Sequence, residues 1–157
     1  MIAAGNRPRN YPGLEDMAQH AITSDDLFSL TEDPGKTLVI GGGYIAIECA
    51  GFLHGLGKEV ILVNRSTFLR VMDSDMAFRI VDEMEASGVK LMKNTVPLGV
   101  KKVGDKEFEV QLKTGDKIST LHVNTILMAI GRDAQPDKLG LGNAGIRIAK
   151  SNKVQGR

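Results

Sequence analysis

From Thr37 onward the apolar positions of the chain fall into regular patterns; before it they do not. Leu38 to Ile40 form a short apolar run that stops at a glycine cluster, predicting a strand over 37–41. Helical spacing follows over 44–56 and closes on Gly55-Leu-Gly57. Glu59 to Asn64 predicts a second strand, with Val60, Ile61, Leu62 and Val63 all apolar. Continuous apolar strands of this kind belong to parallel sheets covered on both faces. A second helix is expected from a cap near Asp73 or Ser74 to just before Gly88, with Met76, Ile80, Val81 and Met84 on one face. Val89 to Lys93 then reads as a third strand. The order β-α-β-α-β is one half of a doubly wound sheet.

The pattern changes after Lys93. Val96–Val103, Glu107–Lys113 and Lys117–Leu121 are alternating runs separated by turns at Gly104-Asp105 and Thr114-Gly-Asp116, which predicts an antiparallel meander. Thr125 to Ile130 returns to a continuous apolar strand and ends at Gly131-Arg132. The fold class expected is α/β: a Rossmann-like three-layer domain with a parallel sheet, two helices and a small meander. Residues 1–35 read as irregular, with a surface loop at Arg7-Pro-Arg-Asn-Tyr-Pro-Gly13 and one short helical turn over Ser24–Leu30, capped by Ser24.

Composition narrows the function classes. At 157 residues, 42% hydrophobic and 25% charged, the chain suits one ordinary soluble domain with a real core. The formal net charge is +1 with acids and bases interleaved, so no basic stripe points to nucleic acid and no polybasic patch to a membrane surface. No apolar run approaches the roughly 20 residues that span a bilayer, and the N-terminus lacks the pattern of a signal peptide. Cys49 is the only cysteine, which excludes a disulfide framework or a CxxC motif within this sequence and fits a reducing, cytoplasmic compartment. Cys49 reads as a small buried apolar residue. His20, His54 and His122 form no metal-ligand pattern and read as solvated or capping residues. The seven methionines read mostly as core residues.

The glycine cluster carries the chemistry. Gly41-Gly42-Gly43-Tyr44-Ile45-Ala46 follows a strand and opens a helix, the context of a dinucleotide-binding turn. Gly41 would permit a tight turn with positive φ, Gly43 would let a pyrophosphate approach the backbone, and Ala46 would let helix and strand pack closely. The first helical N–H groups would face the phosphate. About 20 residues on, where an NAD site usually has Asp or Glu, stands the neutral Asn64, followed by Arg65, Ser66 and Arg70. Two arginines and a hydroxyl suit a 2′-phosphate, because guanidinium groups pair with phosphate oxygens in a fork. The pattern therefore favours NADPH, against the alternative that Arg65 and Arg70 are solvated surface residues. Glu48 either faces the cofactor or complements the helix as a surface residue. Tyr44 either stacks at the nicotinamide end or is a plain surface tyrosine.

These residues resemble a known family. Thr37 to Leu53 is similar to the opening of the NADPH domain of flavin-dependent disulfide reductases, and Val60–Arg65, Phe68-Leu-Arg70, Asp73 and Met128–Asp133 continue the match. Ser24–Leu30, Pro34-Gly-Lys36, Glu48–Leu53, Ala129–Ala134 and the five-residue step from Arg65 to Arg70 most resemble the large thioredoxin reductases or thioredoxin-glutathione reductases; glutathione reductase is the nearest competitor. The resemblance implies that Gly41, Gly42, Gly43, Ile45 and Ala46 form the phosphate turn, that Tyr44 and Glu48 lie near the nicotinamide, and that Asn64, Arg65, Ser66 and Arg70 form the 2′-phosphate site. Ala129, Ile130, Gly131 and Arg132 would line the cofactor's other side.

It also implies a division into 1–35, an edge of a flavin domain with a linker, and 36–157, the NADPH-binding domain. Met1 to Gly5 resembles the end of a flavin-domain segment, with Ala4 where threonine is usual. The family's flavin-binding glycine motif, redox cysteine pair and C-terminal dimerisation domain have no counterpart in these residues. The chain is thus expected to be catalytically inactive alone, with no catalytic residue of its own. In an intact parent it would pass hydride from NADPH to FAD, with a flavin domain and a homodimer partner beside it and thioredoxin or glutathione disulfide as substrate. The parent would be cytoplasmic, with a mitochondrial form open. A stand-alone NADPH-sensing module, without redox chemistry, is the alternative from a different class.

Overall fold

The computed structural model describes residues 2–9, 13–136, 139–150 and 152–155. Residues 10–12 of the expected N-terminal loop, and Met1 of the flavin-domain resemblance, lie outside these. The central parallel run is built as the hydropathy pattern requires. Strand β3 (Thr37–Ile40) and strand β4 (Val60–Val63) are buried at every position. Between them runs helix α3 (Tyr44–Gly55), and after β4 comes helix α4 (Ser74–Ser87). Strand β5 (Lys90–Met92) pairs with β4, and β9 (Thr125–Met128) returns to lie parallel to β3 on its other side.

Alternation along these strands sorts the core into two layers. Val39, Val60, Leu62 and Leu127 face α3 and α4, meeting Ala46, Ala50, Leu53, Val81 and Met84. Leu38, Ile40, Ile61, Val63, Ile126 and Met128 face the opposite way, onto Val110, Leu112 and Val123. Those last three come from the antiparallel meander of β6 (Thr95–Gly104), β7 (Glu107–Thr114) and β8 (Lys117–Val123). The molecule is therefore α/β, with helices, parallel sheet and meander stacked as three layers.

The N-terminal residues are not irregular. Strand β1 (Asn6–Pro8) pairs antiparallel with β10 (Arg132–Ala134), and helix α1 (Glu15–His20) inserts the fully buried Met17 under the sheet. Strand β2 (Ile22–Thr23) adds to the edge of β9, completing the five-stranded order β2-β9-β3-β4-β5. Helix α2 (Ser24–Leu27) is capped by Thr23 and not by Ser24. The Thr23 side chain accepts from the Asp25 N–H, while the Asp26 carboxylate accepts from the Thr23 N–H at 2.8 Å. A 3-10 turn at Leu141–Ala144 lies near the C-terminal end.

Two further expectations change. The Asp73 side chain caps α4, accepting from the Asp75 and Met76 N–H groups, but the buried face is Ala77, Val81 and Met84. Met76 and Ile80 are 62% and 42% exposed and line an open groove beside Tyr44, Ile47 and Glu48 of α3. Among the methionines, Met17, Met84 and Met128 are buried, whereas Met72 and Met76 are exposed, so core packing explains fewer than their spacing suggests. Cys49 is buried as expected, and burial pushes its thiol pKa up. Among the described residues no helix is long and apolar enough to cross a membrane.

Candidate functional site

Three parallel strands, β9, β3 and β4, end side by side. The chain runs from β3 to β4 in one direction and reaches β9 on the other side of β3, so the sheet reverses its order between β3 and β9. Ligands of open α/β sheets bind beyond the carboxyl ends of strands at such a reversal. A cleft of about 740 Å³ lies there, within the range of roughly 300–1,000 Å³ usual for small-molecule sites.

The glycine turn is the floor of this cleft. Gly41 has φ +147°, and a Cβ there would stand 2.2 Å from the Ala129 carbonyl oxygen and 3.3 Å from the Ala46 Cβ. Gly41 thus lets β3, β9 and α3 converge, as the expectation for Gly41 and Ala46 required. Gly42 answers to a different neighbour: a Cβ would stand 2.1 Å from Asn64 Nδ2. Gly43 caps α3 with extended backbone, and no side chain caps the first N–H groups of that helix. A Cβ on Gly43 would meet nothing within 4 Å, so packing does not demand glycine there.

The wall beyond β4 is fixed by Asn64. Its N–H donates to the Met92 carbonyl, its carbonyl accepts from the Thr95 N–H, and its Nδ2 donates to the Thr67 carbonyl at 2.8 Å. The Leu69 N–H donates to the Gly42 carbonyl at 2.6 Å, folding the 64–72 loop back over the glycine turn. Leu69 is buried in a left-handed conformation (φ +52°), which this enclosure holds in place. The loop brings Arg65, Ser66 and Arg70 to the cleft, and both arginines are exposed. Neither takes part in an ion pair among the described residues.

The opposite wall is Ala129 to Arg132. Arg132 lines the cleft while its Nη1 donates to Asp25 Oδ1 at 2.7 Å and to Ser24 Oγ at 3.3 Å, and its Nη2 donates to the Asn6 carbonyl at 2.8 Å. Tyr44 and Ile45 also border the cleft. Ala46 lies beneath it, fully buried. Glu48 lies outside it, exposed on an adjoining groove of about 400 Å³ that it shares with Tyr44, Leu69 and Met76. Sequence reasoning missed Arg9 and Asn6, which reach the cleft because β1 pairs with β10. No local signal marks Arg9, whose partner Asp133 is 124 residues away. Among the described residues no three His, Cys, Asp or Glu side chains cluster as a metal site requires.

Comparison with known proteins agrees with this geometry. The family model for pyridine nucleotide-disulphide oxidoreductases matches residues 1–156. Two thioredoxin reductases of Plasmodium falciparum, from isolates FCH-5 and 3D7, are each 41% identical to the chain over 152 residues. The alignment covers 97% of this chain but 27% and 24% of theirs, so the chain spans about a quarter of the length of the curated relatives it matches. With the glycine turn at a strand-order reversal and the match running over nearly every residue, the chain belongs to the pyridine nucleotide-disulphide oxidoreductase family.

Proposed function

We propose that this chain is the NADPH-binding part of a flavin-dependent disulfide reductase of the thioredoxin reductase type. The observation that carries the reading is the wall formed by Asn64, Arg65, Ser66 and Arg70: two exposed arginines without acidic partners among the described residues, beside a neutral residue, on the same cleft as the glycine turn. A 2′-phosphate needs that charge, and NADH does not. The uncapped start of α3 and the open space at Gly43 suit a pyrophosphate that comes within contact distance of the backbone.

In this reading Gly41, Gly42, Gly43, Ile45 and Ala46 shape the phosphate turn, and Arg65, Ser66 and Arg70 hold the 2′-phosphate. Ala129, Ile130, Gly131 and Arg132 form the facing wall. Tyr44 and Glu48, one helical turn apart, border the nicotinamide end. Bound NADPH supplies a hydride, while the protein contributes placement and electrostatics. The acceptor is FAD held by another part of a longer enzyme, with a redox disulfide and then thioredoxin beyond it. That both relatives are thioredoxin reductases favours thioredoxin over glutathione disulfide. With Cys49 alone and buried, this chain has no thiol pair to cycle and by itself reduces no disulfide.

Titration calorimetry tests the reading. NADPH and 2′,5′-ADP are expected to bind at least about tenfold more tightly than NADH and AMP, the scale of one or more charge-assisted hydrogen bonds. Replacing Arg65 and Arg70 together with alanine removes that preference and leaves NADH binding nearly unchanged. Equal affinities in the unaltered protein, or a matching loss for NADH, overturn it.

A further inference from the structure

Four arginines reach the cleft: Arg9, Arg65, Arg70 and Arg132. Two of them are matched by carboxylates. Arg132 donates to Asp25 at 2.7 Å. Arg9 donates from Nε to both carboxylate oxygens of Asp133 at 3.0 Å, and its Nη2 pairs with the same group. Both matched arginines stand at the Gly131 end, beyond β9. The two without ion pairs stand at the Asn64 end, beyond β4, with β3 between.

We propose that Asp25 and Asp133 are specificity-determining residues, which mask Arg132 and Arg9 so that the cleft offers phosphate-binding charge at its Asn64 end alone. The proposal rests on the NADPH reading and adds to it the orientation of the ligand. A guanidinium is charged at any ordinary pH and does not distinguish one phosphate from another. Four bare arginines would let a dinucleotide enter either way round. A carboxylate on the guanidinium fork occupies donors that a phosphate would use and cancels the local charge. A reversed ligand would also bring its 2′-phosphate against Asp25 and Asp133, so discrimination comes from repulsion as well as from lost attraction.

The mutual hydrogen bonds hold the Asp133 carboxyl below its usual pKa and raise that of Arg9, so this pair stays ionised at neutral pH. Both pairs are partly exposed, and as tethers alone they contribute little to stability. Their masking role matters at a different place: the end of the cleft where the 2′-phosphate must not bind.

The experiment uses the whole chain with D25N/D133N, which keeps the side-chain shape and removes both charges. Inorganic pyrophosphate and 2′,5′-ADP are titrated at low salt, where exposed charges are least screened. D25N/D133N is expected to bind pyrophosphate about tenfold more tightly than the unaltered chain, the worth of an unmasked charge-assisted contact. In a chain also carrying R65A/R70A, it should restore much of the lost 2′,5′-ADP binding. A control, R9Q/D133N with R132Q/D25N, loosens the same contacts but unmasks no arginine, and should gain no anion affinity. Circular dichroism and thermal melting verify that each variant folds; if D25N/D133N does not, D25N and D133N are titrated singly, each expected to show part of the gain. No gain in folded variants, or an equal gain in the control, overturns the proposal. If the unaltered chain binds 2′,5′-ADP without needing Arg65 and Arg70, the NADPH reading itself fails instead.

Discussion

Each of the three adjacent glycines answers to a different physical demand, so alanine at each should fail differently. At Gly41 the added methyl meets a backbone carbonyl that cannot swing aside, in a conformation (φ +147°) that alanine rarely adopts. At Gly42 it meets the Asn64 amide, which can move only by giving up its bond to Thr67. At Gly43 it meets nothing. Urea denaturation should therefore rank Gly41→Ala as the most damaging, Gly42→Ala next at about 1–3 kcal/mol, and Gly43→Ala within about 1 kcal/mol of the unaltered chain. NADPH titration should show the reverse surprise: Gly43→Ala folds, yet binds at least tenfold more weakly. A normal affinity for folded Gly43→Ala would remove the phosphate role of that position. The tasks of Gly41 and Ala46 were legible in the sequence because they lie within six residues of each other. That of Gly42 was not, since it depends on Asn64, which arrives only when β4 pairs beside β3.

At the scale of elements, legibility follows how plainly the apolar residues are grouped. Strands β3, β4 and β9 announce themselves as unbroken apolar runs, and the two long helices by spanning several turns. Helix α1 has six residues and β2 has two, too few for any period to appear, and their place depends on partners far along the chain. Ile22 pairs with Leu127, and Met17 is buried against the layer that Ile61 and Ile126 supply. The amphipathic pattern of α4 misled for a related reason: it shows which residues are apolar, whereas the neighbouring elements decide which are covered, and Met76 and Ile80 border an open groove beside α3. If residues 14–23 were a surface linker, Met17→Ala would be nearly silent. Because Met17 is fully buried, the substitution is expected to cost about 2–5 kcal/mol in a urea melt.

The whole molecule places its single thiol between sheet and helices, where ionisation is disfavoured. Burial, with a smaller contribution from the nearby Glu48 carboxylate, raises the Cys49 pKa. A raised pKa in the folded state means that the associated stability is complete below the unfolded value, about 8.5, and is lost as pH rises through the folded one. Denaturation midpoints measured at neutral and at alkaline pH should fall more for the unaltered chain than for Cys49→Ala. Equal falls would show that the thiol titrates freely. The candidate site was largely readable at this scale too, since a strand followed by small residues and a strand followed by arginines must converge once the strands are parallel neighbours. The Arg9–Asp133 and Arg132–Asp25 pairs were not, for charges 124 and 107 residues apart have no signature until the chain has closed.

That closure has a consequence of its own. Asn6–Pro8 lies directly against Arg132–Ala134, so the polypeptide between them departs and returns at a single doorway. Its ends are held together by the three residue pairs of the doorway, so the entropy of closing so long a loop is met locally. Such a body can be spliced into a larger fold wherever two neighbouring strands can be interrupted, and the host need not be rebuilt to receive it. The cleft is in this sense a portable cassette, carried on two strands.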